Sequence, residues 1–292
     1  MTSLMLLVAI LLPAMAQQVE VTSLKRLLED REEPAYYPVL NQTGNRLVYQ
    51  TDDAGMKVYD LSTDQLSTIT MEVVGNDVCW GGDGKVYFVC MSAGDDNLIY
   101  RTGCSYDIAT EQMTRLTEPQ HGAVHAVSAT RGAALRAPGQ NYNSSGDIGD
   151  AAWTEGSRVH VTVAGEERVF SPVDSWAGYL WASLSPDGKR VAFFAAGKGI
   201  VVIDLRGQIL AMLGNYEMPS WYNNDYLVAQ NAKDDGHQFT SSQIVLLKAD
   251  GTFMSELTKP ESMSMQPTCG GGKIVFTTID GLLYQMQINI YE

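Results

Sequence analysis

The residues of this chain best suited to chemistry are aspartates that recur in short polar turns. Six of them form three adjacent pairs, Asp52-Asp53, Asp95-Asp96 and Asp234-Asp235, and Asp147 and Asp280 stand alone. Carboxylates can act as acid and base on a glycoside when two lie about 5 to 9.5 Å apart, can ligate divalent cations, or can dock a basic partner. Aspartate is also a favourable turn residue in its own right, so a purely local role stays open.

Motifs for common enzyme chemistry are missing from the sequence. It contains no G-x-S-x-G, H-E-x-x-H, P-loop or G-x-G-x-x-G segment, and its four histidines leave few candidates for a general base. His121 and His125 are four residues apart, but no third metal ligand is obvious, so we expect ordinary loop histidines. The sequence therefore predicts no catalytic residue, no metal ligand and no cofactor.

Within residues 1–16, an apolar run from Leu4 to Leu12 is followed by Ala14-Met15-Ala16, which predicts a secretory signal peptide cleaved after Ala16. The apolar run is about half of the roughly 20 residues that cross a bilayer, so no membrane-spanning anchor is expected. Residues 17–292 are then one periplasmic or secreted domain. The net charge of −14 argues against nucleic acid as a partner and favours a basic one.

The four cysteines, Cys79, Cys90, Cys104 and Cys269, show no C-x-x-C spacing. We expect small buried apolar side chains rather than a metal or redox site. If the glycine-rich turn at 81–84 closes a hairpin, Cys79 lies opposite Tyr87 and not opposite Cys90.

The elements that must position the aspartates are copies of one repeat. Six copies share a strand, a tight turn and a second strand, with turn residues at 44, 84, 132, 188, 224 and 272. The clearest copy runs from Trp181 to Phe194. Because one sheet cannot bury both of its apolar faces, such copies must stack, and a period of about 40 to 50 residues is typical of propeller blades.

The sequence thus predicts an all-β, six-bladed β-propeller with four-stranded antiparallel blades. The third copy is degenerate and carries a polar, glycine-rich insertion at 138–149. The sixth copy ends after three strands, near Ile288. The orphan segment 19–28 is predicted to supply its fourth strand, which would close the ring and remove a free edge.

Three segments carry a family resemblance: Ser185-Pro-Asp-Gly-Lys-Arg-Val-Ala-Phe193, the strand start Pro219-Ser-Trp221, and the Leu-Thr strand ends at 116–117 and 257–258. They resemble the WD40-like repeats of TolB-type six-bladed propellers and are similar to the propeller domain of prolyl-oligopeptidase-family peptidases. The resemblance covers nearly all of residues 17–292. It implies an exported bacterial protein that serves as an interaction scaffold in the periplasm or cell envelope. The additional domain of TolB and the hydrolase domain of the peptidases have no counterpart in the printed sequence.

In a propeller, the turns between second and third strands open on the same face as the connections between blades. The sequence therefore predicts one acidic, aromatic face for partner binding, formed by Asp52, Asp53, Asp95, Asp96, Asp147, Asp234, Asp235, His237, Trp176 and Trp221. Basic residues of the first turns should lie on the opposite face: Lys85, Arg131, Lys189, Arg190 and Lys273.

These observations favour a non-catalytic, monomeric scaffold that binds a protein or peptide of basic character. Two alternatives stay open. One is a glycan or small-molecule module that uses Trp176, Trp181 and Trp221 as stacking platforms. The other is a carbohydrate-active hydrolase or lyase with acids at the channel mouth, for which Asp53 and Asp235 are a candidate pair.

Overall fold

A computed structural model describes residues 17–30, 33–137 and 139–291. The predicted signal peptide lies outside the described residues. Strands dominate the described chain, and a single 3-10 turn covers Pro260–Ser262. Among the residues described, no helix is long and apolar enough to cross a membrane.

The strands form six antiparallel sheets, the blades, which follow one another along the chain. The first strand, β1 (Gln18–Arg26), belongs to the last blade. Blade 1 contains β2 to β5: Ala35–Leu40, Arg46–Thr51, Met56–Asp60 and Gln65–Thr70. Blade 2 contains β6 to β9: Val74–Trp80, Lys85–Ala93, Ile99–Asp107 and Gln112–Arg115.

Blade 3 has six strands, β10 to β15: His125–Ala129, Gly132–Arg136, Tyr142–Asn143, Ala151–Glu155, Arg158–Val163 and Glu166–Phe170. Their order is β12-β11-β10-β13-β14-β15. β10 pairs with β11 along its whole length but meets β13 only at Ala129 and Ala151. The degenerate third copy is therefore two three-stranded halves joined at one end, because the insertion adds β12 and returns the chain across the blade.

Blade 4 contains β16 to β19: Tyr179–Leu184, Arg190–Ala195, Gly199–Asp204 and Ile209–Gly214. Blade 5 contains β20 to β23: Glu217–Trp221, Tyr226–Asp234, Phe239–Lys248 and Met254–Glu256. Blade 6 contains β24 to β26, Ser264–Gly270, Lys273–Thr278 and Leu283–Tyr291, with β1 as its outer strand.

The predicted six-bladed ring and its closure are confirmed. β1 pairs antiparallel with β26 from Gln18 opposite Tyr291 to Arg26 opposite Tyr284. Five blades have four strands, and the third has two more. The two ends of the chain thus share one sheet, which leaves no open edge between the last blade and the first.

The core is distributed between blades. A cluster of buried apolar side chains fills each junction, as where Val48 and Met56 of blade 1 meet Val86 and Phe88 of blade 2. The remaining junctions are filled in the same way. Alternating strand residues supply both faces of every blade, as stacking of the repeats requires.

The thiols behave as the sequence predicts. Cys79 lies opposite Tyr87 across the β6–β7 hairpin. All four cysteines are free; Cys79, Cys90 and Cys104 are buried, and Cys269 is half-buried.

Candidate functional site

The candidate site is the face of the ring on which the innermost strand of each blade begins, named here the channel-mouth face. It carries the turns between second and third strands and the connections between blades. A hydrogen bond from the Val74 N–H to the Ala54 carbonyl ties a turn to the next connection, and one from Ala35 to Gly281 does the same between the last blade and the first. The opposite side is named the reverse face.

Two hairpins project from the channel-mouth face. The strands of β7–β8 and β21–β22 have nine or ten residues, against five or six in blades 1 and 4. Three extra residues at about 3.4 Å each raise a tip by roughly 10 Å. Blades 2 and 5 lie on opposite sides of a six-membered ring, so the two tips flank the channel mouth.

The tips hold the predicted aspartate pairs. Asp95 and Asp96 lie in the β7–β8 turn, whereas Asp235 and His237 lie in the β21–β22 turn that follows Asp234. The Asp52-Asp53 pair occupies the lower β3–β4 turn of blade 1. These residues thus lie on one face of the ring.

Several of these aspartates are bound to their own turns. Hydrogen bonds from the Thr51 hydroxyl and the Gly55 N–H lower the pKa of Asp53. The Gln238 and His237 N–H groups lower the pKa of Asp235 in the same way, each at 2.9 Å. A carboxylate held in this manner stays ionised at neutral pH, so the local role and the surface charge coexist.

Asp96 is held by a similar network. The Leu98 N–H and the Tyr100 hydroxyl lower its pKa, and the His121 ring lies 3.6 Å from its carboxylate. The rings of Tyr100 and His121 are in contact, with centroids 3.9 Å apart. His121 is therefore part of the blade 2 tip rather than an isolated loop residue.

The charge of the channel-mouth turns is not compensated. In the part of the chain that the structure describes, no lysine or arginine forms a salt bridge with any of the turn aspartates 52, 53, 95, 96, 234, 235 and 280.

The reverse face behaves differently. Four of its five predicted basic residues face carboxylates, in the pairs Lys85–Asp107, Arg131–Asp147, Lys189–Asp187 and Arg190–Asp225. Lys273 donates to the Gly44 carbonyl. Ion pairs also occur at blade connections of the channel-mouth face, where Lys57 binds Glu33 and Arg115 binds Glu72. The asymmetry between the faces therefore lies in their turns, which lack lysine and arginine partners on the channel-mouth face and have them on the reverse face.

The channel-mouth face also exposes large apolar side chains. They come from blade connections, hairpin tips and the first residues of β16: Met71, Val73, Leu98, Ile99, Trp176, Leu180, Trp181, Phe239 and Ile279. The other large exposed apolar side chains lie on outer strands of the blades or, in the case of Tyr291, at the end of β26: Val21, Leu24, Val169, Ile209, Leu210, Met212, Met254 and Tyr291. Apolar groups that share a face with acidic turns are suited to an interaction surface.

At the channel itself, four innermost strands each contain a β-bulge, and the first residue of each bulge has a positive φ. These residues are Tyr37 (φ 48°), Trp181 (56°), Met218 (51°) and Gln266 (54°). Non-glycine residues rarely adopt this conformation, and bulges re-aim side chains next to functional sites. Prolines at 38, 219 and 267 occupy the second bulge position, so the sequence does carry a signal for three of the four.

A chain of hydrogen bonds links these bulges across three blades. Gln230 Nε2 donates to Glu217 Oε2 at 3.1 Å, the Gln266 N–H donates to Gln230 Oε1 at 3.0 Å, and the Tyr37 N–H donates to Gln266 Oε1 at 2.7 Å. Burial raises the pKa of Glu217. Three of the six blades therefore share one hydrogen-bonded polar rim at the mouth.

Two predicted site residues lie elsewhere. Asp147 is on the reverse face, where it pairs with Arg131, because the insertion carries the chain back across blade 3 before β13 begins. Trp221 ends β20 at the reverse side and is only 8% exposed. Its indole N–H donates to the Ser183 carbonyl, so it packs blade 5 on blade 4. Trp176, by contrast, is 87% exposed on the predicted face.

Sequence reasoning missed two histidine–carboxylate pairs. One joins blade 2 to blade 3, and the other lies within blade 3. His125 Nδ1 lies 2.8 Å from Asp77 Oδ2, and this hydrogen bond raises the pKa of His125. His160 Nδ1 lies 2.8 Å from Glu167 Oε1, and its Nε2 is 3.6 Å from Glu155. The four-residue spacing of His121 and His125 gave no signal for these pairs.

An aromatic side chain fills the space between the halves of blade 3. The Trp153 ring stacks on His160 with centroids 4.9 Å apart, and the Arg136 guanidinium lies 5.7 Å from its centre. Burial lowers the pKa of Arg136. Among the described residues, no three histidine, cysteine, aspartate or glutamate side chains are placed to hold a metal ion.

Comparison with known proteins gives similarity in structure only. No family model and no curated protein matches the sequence. The fold is similar to TolB from Acinetobacter baumannii, with a TM-score of 0.57 and 18% identity over 81% of this chain, which spans 57% of the TolB chain.

Two solved lyases are also similar in fold. Virginiamycin B lyase from Staphylococcus aureus has a TM-score of 0.62 and 12% identity, over 92% of this chain and 99% of that one. Oligogalacturonate lyase from Vibrio parahaemolyticus has a TM-score of 0.56 and 13% identity, over 92% and 98%. At these identities the likeness is one of fold: the chain is a β-propeller that resembles TolB and these lyases in architecture.

Proposed function

We propose that this protein is an exported, non-catalytic interaction protein that binds a basic, amphipathic segment of another cell-envelope protein on its channel-mouth face. One observation carries the proposal: turn aspartates without lysine or arginine partners and exposed apolar side chains occupy the same face, whereas the turn carboxylates of the reverse face pair with bases.

The proposed partner follows from the chemistry of this face. Its carboxylates attract cationic side chains and speed their encounter, and its apolar groups favour a partner with an apolar side. The tips of blades 2 and 5 combine both properties, with Asp95, Leu98 and Ile99 on one and Asp235 and Phe239 on the other. A segment seated across the mouth would contact both tips.

A hydrolytic role has less support. Asp53 and Asp235 belong to blades 1 and 5, which blade 6 separates, and both are bound to their own turns. A general acid needs a raised pKa, whereas these carboxylates have lowered ones. Their environment is better suited to fixed negative charge.

Export and a monomeric state are part of the proposal. The apolar segment 1–16 supports export, and sequencing the N-terminus of the protein from its native host tests it, with Gln17 as the expected first residue. Light scattering during gel filtration tests the monomer.

Site-specific photo-crosslinking in the native envelope tests the binding face. A photoreactive residue in place of Leu98 or Phe239 should capture the same partner, whereas one in place of Leu210 on the outer strand β19 should not. Capture should weaken as salt rises, because exposed charges are screened. Equal capture at all three positions would refute the assigned face.

A matched pair of charge variants sharpens the test. Asp52 and Asp95 make no hydrogen bond or ion pair with their side chains within the described chain, so Asp52→Lys/Asp95→Lys should leave the turns intact. We expect this variant to weaken binding about tenfold and to flatten its salt dependence. Glu111→Lys/Glu166→Lys makes the same change in net charge at reverse-face turns, breaks only the exposed Arg168–Glu166 ion pair, and should bind normally. Equal effects of the two variants would point to net charge rather than to the face.

A further inference from the structure

A separate cleft lies at the rim of the channel-mouth face, between blades 3 and 4. It has a volume of about 520 Å³ and is lined by the turn after β13, the connection 171–178 and the β17–β18 turn, including Ser157, Asp174, Trp176 and Lys198. Small-molecule sites commonly occupy clefts of about 300 to 1,000 Å³. The acidic hairpin tips take no part in it.

Trp176 dominates the cleft. At 87% it is the most exposed large apolar side chain in the described chain. The edge of its indole lies against Gly197, where an added Cβ would come within 2.9 Å of Nε1. Glycine therefore lets the backbone support the ring edge while the ring faces stay open.

The loop that carries Trp176 is held in place on both sides. The Ser175 hydroxyl lies 2.8 Å from the Gly178 carbonyl and 3.0 Å from the Ala196 carbonyl, which ties the connection to the β17–β18 turn. The Tyr179 hydroxyl bonds to both the N–H and the carbonyl of Val173. The indole is thus presented by a fixed loop, so its exposure does not result from a loose one.

The polar groups beside the indole have no partners in the protein. Within the described residues, no hydrogen bond or ion pair involves the Asp174 carboxylate, the Lys198 ammonium or the Trp176 N–H. Turn aspartates such as Asp53 and Asp235 instead bind N–H groups of their own turns. The Asp174 carboxylate and the Lys198 ammonium therefore line the cleft as an acceptor and a donor without partners in the protein.

These features select a class of ligand. An open indole face suits a flat, weakly polar surface, and the surrounding donors and acceptor suit a ring of hydroxyls. A pyranose offers both, with C–H groups on its face and hydroxyls at its edge. Asp174 and Lys198 cancel in charge, so neither a polyanion nor a polycation is favoured. We propose that this cleft binds a neutral saccharide, with Trp176 as the stacking platform.

The proposal does not depend on protein binding by the hairpin tips. It also differs from a platform of three tryptophans, because Trp221 is buried and the Trp181 ring is packed on Phe194. A single indole with two charged neighbours predicts recognition of one or two sugar units.

NMR of the tryptophan indole N–H signals tests the proposal on the protein from Gln17 onward. The Trp176 signal is assigned by its loss in Trp176→Phe. Cellobiose, maltose, lactose and N,N′-diacetylchitobiose are then titrated to about 50 mM, which covers weak single-site affinities. We expect at least one of them to shift the Trp176 signal in a saturable manner.

Variants separate the site from nonspecific effects. Trp176→Ala should weaken the affinity of that sugar at least about tenfold, and Asp174→Asn should weaken it less. Leu210→Ala, a change at another exposed apolar residue, on β19, should have no effect. Because Trp176 is exposed, its variants should retain the thermal unfolding of the parent protein.

Three results would overturn the proposal. The first is that none of the four disaccharides shifts the Trp176 signal. The second is full affinity in Trp176→Ala. The third is tighter binding of a digalacturonate than of every neutral disaccharide, which would assign the cleft to acidic sugars.

Discussion

At the scale of the residue, the aspartates of the channel-mouth face show that one side chain can have a local and a global role. Asp235 accepts two backbone hydrogen bonds in its turn and still carries a full negative charge. The turn explains why aspartate is present, and the missing counter-ions explain why the face is acidic. Asp52, which is free of such bonds, contributes charge alone.

His125 provides a pH-dependent contact between blades 2 and 3. Its folded-state pKa is raised above about 6.5 by the hydrogen bond that its imidazole donates to the Asp77 carboxylate, with a smaller contribution from Glu155. The folded protein therefore binds this proton more tightly than the unfolded chain. The resulting stability is fully present below the unfolded pKa and is lost as the pH rises through the folded pKa.

Asp77→Asn should remove this contribution, since it deletes the charge but keeps an acceptor. We expect a loss of about 1 kcal/mol near pH 5.5 that shrinks toward pH 8.5. Urea unfolding at both pH values measures it. Asp96→Asn, next to the exposed His121, is the control and should show little pH dependence. A loss of equal size at both pH values would contradict the assignment.

The four thiols should be inert in the folded protein. Burial raises the pKa of Cys269 to about 12 and raises the pKa of Cys79 as well. Contact with Cys90 lowers the pKa of Cys104, but the Cys104 side chain is fully buried and out of reach of a reagent. Since the thiolate is the reactive form, an aromatic disulfide reagent at about pH 8 should find no fast-reacting thiol. In urea it should titrate four. A smaller number after unfolding would reveal a disulfide, and fast reaction before unfolding would refute burial.

At the scale of the element, the bulged innermost strands fix the channel mouth through side-chain amides. Gln230 is 3% exposed and satisfies both the Gln266 N–H and the Glu217 carboxylate. Gln230→Leu keeps the size of the side chain but leaves the Gln266 N–H and the Glu217 carboxylate without a partner. We therefore expect a loss of about 2 kcal/mol in unfolding free energy. Gln208→Leu, on an exposed turn, should lose almost nothing. Urea unfolding compares the two, and similar losses would refute the linkage.

Local patterns predict elements well here and predict their ends poorly. Strand alternation and turn glycines locate the hairpins, and the turn at 81–84 even predicts the register that places Cys79 opposite Tyr87. The sequence predicts the wrong face for Asp147. The insertion at 138–149 adds the strand β12, which reverses the direction of the chain and brings Asp147 to Arg131 on the reverse face. The predicted face is also wrong for Trp221. Trp221 is the last residue of β20 and therefore lies at the reverse face, where that strand ends.

The missed contacts share a different cause. Asp77 and His125 are 48 residues apart in sequence and meet only because blades 2 and 3 are adjacent and their innermost strands are in register. Neither segment carries a motif by itself. Pairs between blades depend on the stacking of the whole ring, which a repeat period predicts only in outline.

At the scale of the whole molecule, the ring separates two electrostatic surfaces around one distributed core. Each blade buries its faces against two neighbours, so no blade holds its shape alone. A change in one blade is therefore felt at both of its junctions. The closure by β1 is the one junction made between strands from the two ends of the chain.

Removing β1 should therefore destabilise the entire ring. β25 pairs with β26 only as far as Met286, so β1 is the pairing partner of Gln287–Tyr291 in the described structure. A protein that begins at Leu27 should lose at least about 10 °C in Tm relative to one that begins at Gln17, which corresponds to several kcal/mol for a domain of this size. It should also associate through the bare edge of β26, which gel filtration would show.

A peptide of residues 17–26 should restore much of the loss, because strand pairing needs no covalent link, whereas a scrambled peptide should not. An unchanged Tm would mean that the apolar junctions alone close the ring and that the paired termini are dispensable.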